Sequence, residues 1–168
     1  MTQDWVTTLG LALTAVIIAL FLLAALHDVM ARTVPNGLAL LLAITGIAAR
    51  VIDRTFLLGL AIGALVFVLA ALCWRRGWMG GGDVKLLGAG AIAVPPILVL
   101  PFITVMAISG ALLALVYLTG RSLPAPHASA RPASLLARVA RIERWRLHRG
   151  GPLPYACAIA AGGVFVLL

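Results

Sequence analysis

The chain has 168 residues, of which 63% are hydrophobic and only 11% are charged, and its net charge is +8. A water-soluble domain of this size could not bury so much apolar side chain, so the composition excludes that class and predicts an integral membrane protein. Basic residues in the loops of such a protein report its orientation and its contact with anionic lipid, so we expect no nucleic-acid partner.

Six apolar segments follow one another along the chain. Their predicted bounds are residues 5–26, 37–52, 56–74, 84–94, 97–118 and 152–168. If residues 84–118 formed one kinked span, the basic loops Arg75–Lys85 and Arg121–Arg149 would face opposite sides of the membrane. Lys and Arg strongly prefer the cytoplasmic side. A break at Pro95-Pro96 therefore gives six spans, with both basic loops in the cytoplasm and both termini outside.

The sequence thus predicts an all-α, polytopic membrane protein with a single domain over residues 1–168 and a basic cytoplasmic loop over residues 119–151. Within that loop, the pattern of apolar and basic residues over Ser134–Arg149 predicts a helix that lies on anionic lipid. The alternative for this segment is a solvated loop. The second and fourth segments contain short apolar runs compared with the roughly 20 residues that a bilayer core needs. We therefore expect locally thin membrane beside them, which would admit water.

The remaining polar and sulfur-containing residues indicate no metal site. Cys73 and Cys157 lie inside apolar segments and form no C-x-x-C pair, which is typical of small buried hydrophobes. The histidines show no ligand spacing to either cysteine. Asp53 lies between Arg50 and Arg54 and is expected to form a surface ion pair. We expect no metal and no cofactor.

Two acidic residues stand at borders of apolar segments on the same predicted side of the membrane. Asp28 lies seven residues ahead of Pro35-Asn36, at or just past the end of the first span. Asp83 follows three glycines and stands just ahead of an apolar helix. Charged residues at this depth are costly and commonly functional. A flexible glycine loop closed by an Asp N-cap, or two merely solvated acids, are the simpler alternatives.

Three groups of residues together resemble the prepilin peptidases, aspartic proteases of the G-x-G-D type in bacterial membranes. The groups are Asp28 with Arg32-Thr33-Val34-Pro35-Asn36, then Gly80-Gly81-Gly82-Asp83-Val84-Lys85, and finally Pro154-Tyr155 with Ala158-Ile159-Ala160 and Gly162. The small size is similar to the short TadV/CpaA-like branch, which serves Flp (type IVb) pili. Larger members carry an extra cytoplasmic segment with C-x-x-C pairs and also methylate the new N-terminus. This chain lacks those features, so the resemblance implies the peptidase and not the methyltransferase.

The resemblance implies that Asp28 and Asp83 are the catalytic pair of an aspartic endopeptidase in the bacterial inner membrane. Two close carboxyls cannot both ionise cheaply, so one activates water while the protonated one donates to the scissile carbonyl. Because Asp83 precedes a helix and Asp28 follows one, the helix dipoles predict Asp83 as base and Asp28 as acid. Gly80 and Gly82 would let a substrate strand approach the backbone, and Lys85 would contact substrate or lipid phosphate.

The implied substrate is a type IV prepilin of the Flp kind, with a short basic leader, a cut after glycine and an apolar helix beyond it. Other expected partners are anionic lipids on the basic loop and the pilus assembly machinery. A rival hypothesis from another class is a non-enzymatic six-span channel, or a pilus or secretion assembly factor, whose acids line a polar cavity.

Overall fold

The computed structural model describes residues 2–120, 134, 138, 141, 142, 145 and 153–168. The described residues form six long helical elements: α1 (Thr2–Ala31), α2 (Asn36–Ile52), α3 (Phe56–Arg75), α4 (Gly81–Ala93), α5 (Val99–Gly120) and α6 (Tyr155–Leu167). A short 3₁₀ turn, Pro96–Leu98, precedes α5. The all-α class is confirmed for this part of the chain. Most of the basic loop lies outside the described residues, which include only Ser134, Arg138, Arg141, Ile142 and Trp145 of the predicted surface helix Ser134–Arg149.

The break between the fourth and fifth apolar segments lies where the two prolines predicted it. Helix α4 ends at Ala93, and both Val94 and Pro95 have extended backbone, with ψ of 140° and 138°. A residue ahead of proline is driven out of the helical region by the proline ring, which explains why α4 stops here. The helix is therefore interrupted between α4 and α5 and does not continue as one long helix.

Three helical stretches are long and apolar enough to cross a membrane: Asp4–Ala31, Phe56–Arg75 and Pro96–Gly120. Helices α2 and α6 are apolar but shorter. At 1.5 Å per residue, the 17 residues of α2 extend about 26 Å and the 13 residues of α4 about 20 Å. By length and composition, the three longer stretches among the described residues fit a membrane span. The count of six spans and the side of each terminus stay predictions.

Helix α4 lies at the centre of the bundle. It packs against α2 and α3 and more lightly against α6, while α1 packs against α2 and α6, and α5 packs against α6. Almost every residue of α4 from Val84 onward is buried. Gly46 of α2 brings the two backbones together, since a Cβ there would stand 2.6 Å from Cα of Ala93. Small residues permit such close helix contacts in apolar surroundings, and they fix the position of α4.

The ends of two helices differ from the sequence-based expectation in a way that matters for the acids. Helix α1 continues to Ala31 instead of ending at residue 26, so Asp28 lies in its last turn. Helix α4 begins at Gly81 instead of residue 84, so Asp83 lies in its first turn. Hydropathy marks where apolar side chains stop, whereas a helix can continue through polar residues whose side chains find partners. Both acids are therefore held by regular backbone rather than by loops.

The turn between α2 and α3 contains the ion pair that the sequence predicted. A guanidinium nitrogen of Arg50 lies 3.0 Å from a carboxylate oxygen of Asp53. The Asp53 side chain is 46% exposed, but that of Arg50 is only 5% exposed. The cation is thus buried against the helix bundle and not, as expected, simply part of a surface pair.

The close contact at Gly46 yields a stability test. We expect Gly46→Val to lower the free energy of unfolding by about 1–3 kcal/mol, because the added side chain meets the α4 backbone and overpacks the interface. Gly10→Val is the matched control, since a Cβ at Gly10 has nothing within 4 Å. Thermal unfolding of both variants in detergent measures the difference. Equal stability of the two variants would contradict the described packing of α2 on α4.

Candidate active site

A cavity of about 810 Å³ opens at the adjoining ends of α1, α4 and α6. Its lining comes from three separate parts of the chain: Asp28, Arg32, Thr33 and Val34; then 77–83 and Lys85; then Leu153 and Tyr155. These parts coincide with the three groups of residues that carry the resemblance to prepilin peptidases. The fold therefore gathers residues more than a hundred positions apart around one space that holds both acids.

Asp28 is buried, with 6% of its surface exposed. Its Oδ2 accepts a hydrogen bond of 3.2 Å from the backbone N–H of Ala156, in the first turn of α6. The first N–H groups of a helix lack intrahelical partners and carry the positive end of its dipole. This contact gives the buried carboxyl of Asp28 a hydrogen-bond donor at the positive end of the α6 dipole, although the residue also lies near the C-terminal end of α1.

Asp83 is half-buried in the first turn of α4. The helix begins after Gly80, which occupies the N-cap position, so the simpler alternative of an Asp N-cap at position 83 is wrong. The pKa of Asp83 is raised from 3.8 to about 6, first by burial and then by the negative charge of Asp28, while a hydrogen bond from the Gly80 backbone acts in the opposite direction. This carboxyl therefore holds its proton to a higher pH than an aspartic acid in water does.

The triple glycine makes room beside the acid and does not adopt unusual backbone angles. Among the described glycines, positive φ occurs at Gly77, with φ of 74°, and not at Gly80 or Gly82. A Cβ on Gly80 would lie 2.9 Å from Oδ2 of Asp83, and a Cβ on Gly82 would lie 3.4 Å from Cβ of Val34. Glycine at these positions leaves space for the carboxyl and for the segment between α1 and α2.

Lys85 has a partner within the protein, which the sequence did not predict. Its Nζ donates a hydrogen bond of 2.7 Å to Oδ1 of Asn36, the first residue of α2. The sequence-based prediction was that Lys85 would contact lipid phosphate or the substrate. In the structure it joins the first turn of α4 to the start of α2, at the edge of the cavity.

The chain between α1 and α2 is held by two further contacts that have no local sequence signal. Arg32 takes a left-handed conformation with φ of 57° and donates a hydrogen bond of 2.8 Å to the hydroxyl of Tyr117 in α5. Nδ1 of His27 lies 2.7 Å from the carbonyl oxygen of Thr33 and donates to it, because a carbonyl only accepts. Both contacts hold the segment that leads from Asp28 to α2 and forms one wall of the cavity.

Two aromatic side chains of the cavity were not assigned to the site from the sequence. Trp78 is 72% exposed at the cavity, with the guanidinium carbon of Arg76 5.3 Å from its ring centroid. Tyr155 packs against Gly110 of α5, where an added Cβ would stand 2.8 Å from the ring. Tyr155 belongs to the third group of residues that resembles prepilin peptidases, so the sequence offered a reason to place it near the acids. Trp78 is outside those groups, and only its position close to the glycines distinguishes it.

The described residues contain no group of three or more His, Cys, Asp or Glu side chains that could hold a metal ion. Cys73 and Cys157 form no disulfide with each other and are half-buried, whereas the sequence predicted buried side chains. The described lining of the cavity offers two carboxyls, the hydroxyls of Thr33 and Tyr155, and the cationic groups of Arg32 and Lys85.

The comparison with protein families agrees with this geometry. The model of the type IV leader peptidase family matches residues 15–115, which is more than half of the chain. The chain belongs to the type IV leader peptidase family. Membership implies a protease that acts on prepilin leaders, and the matched region contains both Asp28 and Asp83. Among curated proteins and among solved structures, no match was found.

The proximity of the two acids can be measured through the titration of Asp83. We expect Asp28→Asn to lower the pKa of Asp83 from about 6, since a neighbouring negative charge is removed, and to leave it above 3.8, since burial is the larger cause. Infrared difference spectroscopy of the carboxyl band follows this titration in membranes. An unchanged pKa in Asp28→Asn would show that the two carboxyls do not interact.

Proposed function

We propose that this member of the type IV leader peptidase family is an aspartic endopeptidase whose catalytic residues are Asp28 and Asp83. The observation that carries the proposal is the single cavity lined by both carboxyls, in which the charge of Asp28 raises the pKa of Asp83. The reaction is hydrolysis of one peptide bond at the cytoplasmic face of the inner membrane. It releases the leader of a type IV prepilin of the Flp kind.

Contacts of the two acids favour Asp28 as the base and Asp83 as the acid. Asp28 accepts the N–H of Ala156 at the positive end of the α6 dipole, which favours its anion. Asp83, with its raised pKa, is the member that keeps the shared proton. This reverses the assignment drawn from helix ends in the sequence, because that argument had no means of placing the start of α6 beside Asp28.

The reaction follows from these protonation states. Asp28 takes a proton from a water molecule as the water oxygen attacks the scissile carbonyl carbon, and Asp83 gives its proton to the carbonyl oxygen. The resulting tetrahedral diol is neutral. It collapses when Asp28 returns its proton to the amide nitrogen and Asp83 recovers a proton from one hydroxyl, which breaks the C–N bond. Both carboxyls end in their starting states.

The surroundings of the pair suit a substrate that is held in the membrane. The first span of the chain carries one acid, and the short helix α4, about 20 Å long, carries the other. We propose that six helices span the bilayer with both termini outside, that thin membrane near α4 admits water, and that the basic loop 119–151 contacts anionic lipid. We also propose that the protein docks to pilus assembly machinery. We do not propose a methyltransferase activity.

Removing either carboxyl tests the proposal. We expect Asp28→Asn and Asp83→Asn each to lower cleavage of a prepilin precursor by at least about 100-fold, since each loses one proton-transfer partner. Asp53→Asn, which changes the acid of the α2–α3 turn, should retain cleavage. Precursor and mature forms are compared on a gel after co-expression. Full cleavage by either active-site variant would contradict the catalytic pair, and a precursor left at full length by the wild type would favour the non-enzymatic channel or assembly factor.

The pH dependence gives a test of the acid–base assignment. Asp83 must be protonated to donate, and its folded pKa is about 6, so kcat/KM should fall as pH rises through about 6. The fall should be tenfold per pH unit well above that value, because the protonated fraction falls tenfold per unit. Cleavage of a purified precursor in detergent measures the profile. A rate that increases on raising the pH above 6 would contradict Asp83 as the acid.

A further inference from the structure

The hydroxyl of Tyr155 is a polar group of the active-site cavity that the two-acid reaction leaves unused. Tyr155 is the first residue of α6 and lines the cavity together with Asp28 and Asp83. Its hydroxyl has no hydrogen-bond partner among the residues that the structure describes. The side chain is half-buried and its oxygen stays accessible, unlike the unpaired hydroxyl of Thr55, which is buried. A free hydrogen-bond donor therefore remains at the site after both acids have been assigned.

The position of Tyr155 relates it to both carboxyls. The next residue, Ala156, donates its backbone N–H to Oδ2 of Asp28, so the backbone of Tyr155 adjoins that acid. The phenol lies within electrostatic range of the carboxyl of Asp83. A peptide bond that reaches the two acids therefore comes close to the tyrosine as well.

The ring of Tyr155 is held by close packing against α5. A Cβ added at Gly110 would stand 2.8 Å from Cε2 of the ring and 3.0 Å from the hydroxyl oxygen. Glycine at this buried position lets the ring lie directly on the α5 backbone. A tyrosine that only anchors a helix at the membrane surface needs no such seat inside the bundle. The packing instead fixes where the hydroxyl lies, as a group that acts on a substrate requires.

We propose that Tyr155 is a further catalytic residue, whose hydroxyl donates a hydrogen bond to the oxygen of the scissile carbonyl. The inference rests on the proposed function and adds a third group to the pair of acids. A phenol in water keeps its proton up to about pH 10, so it is a donor under the conditions in which Asp83 is protonated. Negative charge develops on the carbonyl oxygen as water attacks, and a donor already in place there lowers the barrier.

This hydrogen bond leaves the proton balance of the reaction unchanged. Asp83 still gives its proton to the carbonyl oxygen, and the hydroxyl of Tyr155 donates to the other lone pair of that oxygen. The O–H bond of the phenol does not break. Because the charge on the oxygen is larger in the transition state than in the bound substrate, the contact should affect kcat more than KM.

Tyr155→Phe tests the proposal, because it removes the hydroxyl and keeps the ring against Gly110. We expect kcat for cleavage of a purified prepilin precursor in detergent to fall about tenfold or more, with KM changed less than about threefold. Thr104→Val is the matched control and should keep the wild-type kcat. Its hydroxyl bonds to the carbonyl oxygen of Leu100 within α5, outside the cavity. Thermal unfolding checks that both variants fold like the wild type.

The pH profile separates a direct contact with the substrate from an effect through Asp83. A donor to the scissile carbonyl leaves the titration of Asp83 as it is. For Tyr155→Phe, kcat/KM should therefore start from a lower plateau and still fall as pH rises through about 6. If the hydroxyl acted by holding the Asp83 carboxyl, its loss would move that fall to another pH.

A fluorinated tyrosine at position 155 keeps the test open if Tyr155→Phe does not fold. It retains the ring and the hydroxyl but loses the phenol proton at lower pH. The fall of kcat/KM should then be steeper than in the wild type, up to about a hundredfold per pH unit, since two protons are needed.

The outcomes separate Tyr155 from the proposed function. A wild-type kcat in Tyr155→Phe, a change in KM alone, a displaced fall, or an unchanged slope with the fluorinated residue would overturn the inference. If the wild-type enzyme cleaved the precursor in the same experiment, the proposed function would stand and Tyr155 alone would be rejected. A precursor left at full length by the wild type would reject the proposed function itself.

Discussion

A carboxylate buried at the end of an apolar helix needs a hydrogen-bond donor, and the backbone N–H of Ala156 gives one to Asp28. This contact joins the last turn of α1 to the first turn of α6, across most of the sequence. It places the positive end of the α6 dipole beside the carboxyl of Asp28. The position of the second acid then decides what the site can do, because its proton affinity responds to the first.

The burial of α4 fixes that second acid. A 13-residue helix would be marginal alone, but α4 is held by α2, α3 and α6, and its close contact through Gly46 leaves little freedom to slide. Asp83 lies at the one end of α4 that reaches the cavity, where burial and the charge of Asp28 raise its pKa. Two carboxyls with different surroundings are what acid–base hydrolysis requires, and here the difference comes from helix packing.

Local patterns predicted much of this arrangement. The apolar segments, the break at Pro95-Pro96 and the two border acids all follow from the residues in each neighbourhood. The predicted end of the first segment and the predicted start of the fourth differ by several residues from the ends of α1 and α4 in the structure. The reason is that Asp28 and Asp83 are helical, whereas hydropathy suggests a loop at both positions. The Ala156 contact joins residues far apart in sequence and has no local signal. The dipole argument was made from each acid's own helix and could not include this contact, so it led to the assignment opposite to the one we propose.

The central claim is that the fold brings Asp28 and Asp83 together at one membrane face. The most direct measurement is cross-linking in native membranes of Asp28→Cys with Asp83→Cys, by a short bifunctional thiol reagent, after Cys73 and Cys157 are replaced by Ser. Asp28→Cys with Asp53→Cys is the matched control, because Asp53 lies in the α2–α3 turn and not in the cavity. The account predicts an internal cross-link for the first pair and none for the control. Single labelling of both cysteines without a cross-link in the first pair would contradict it.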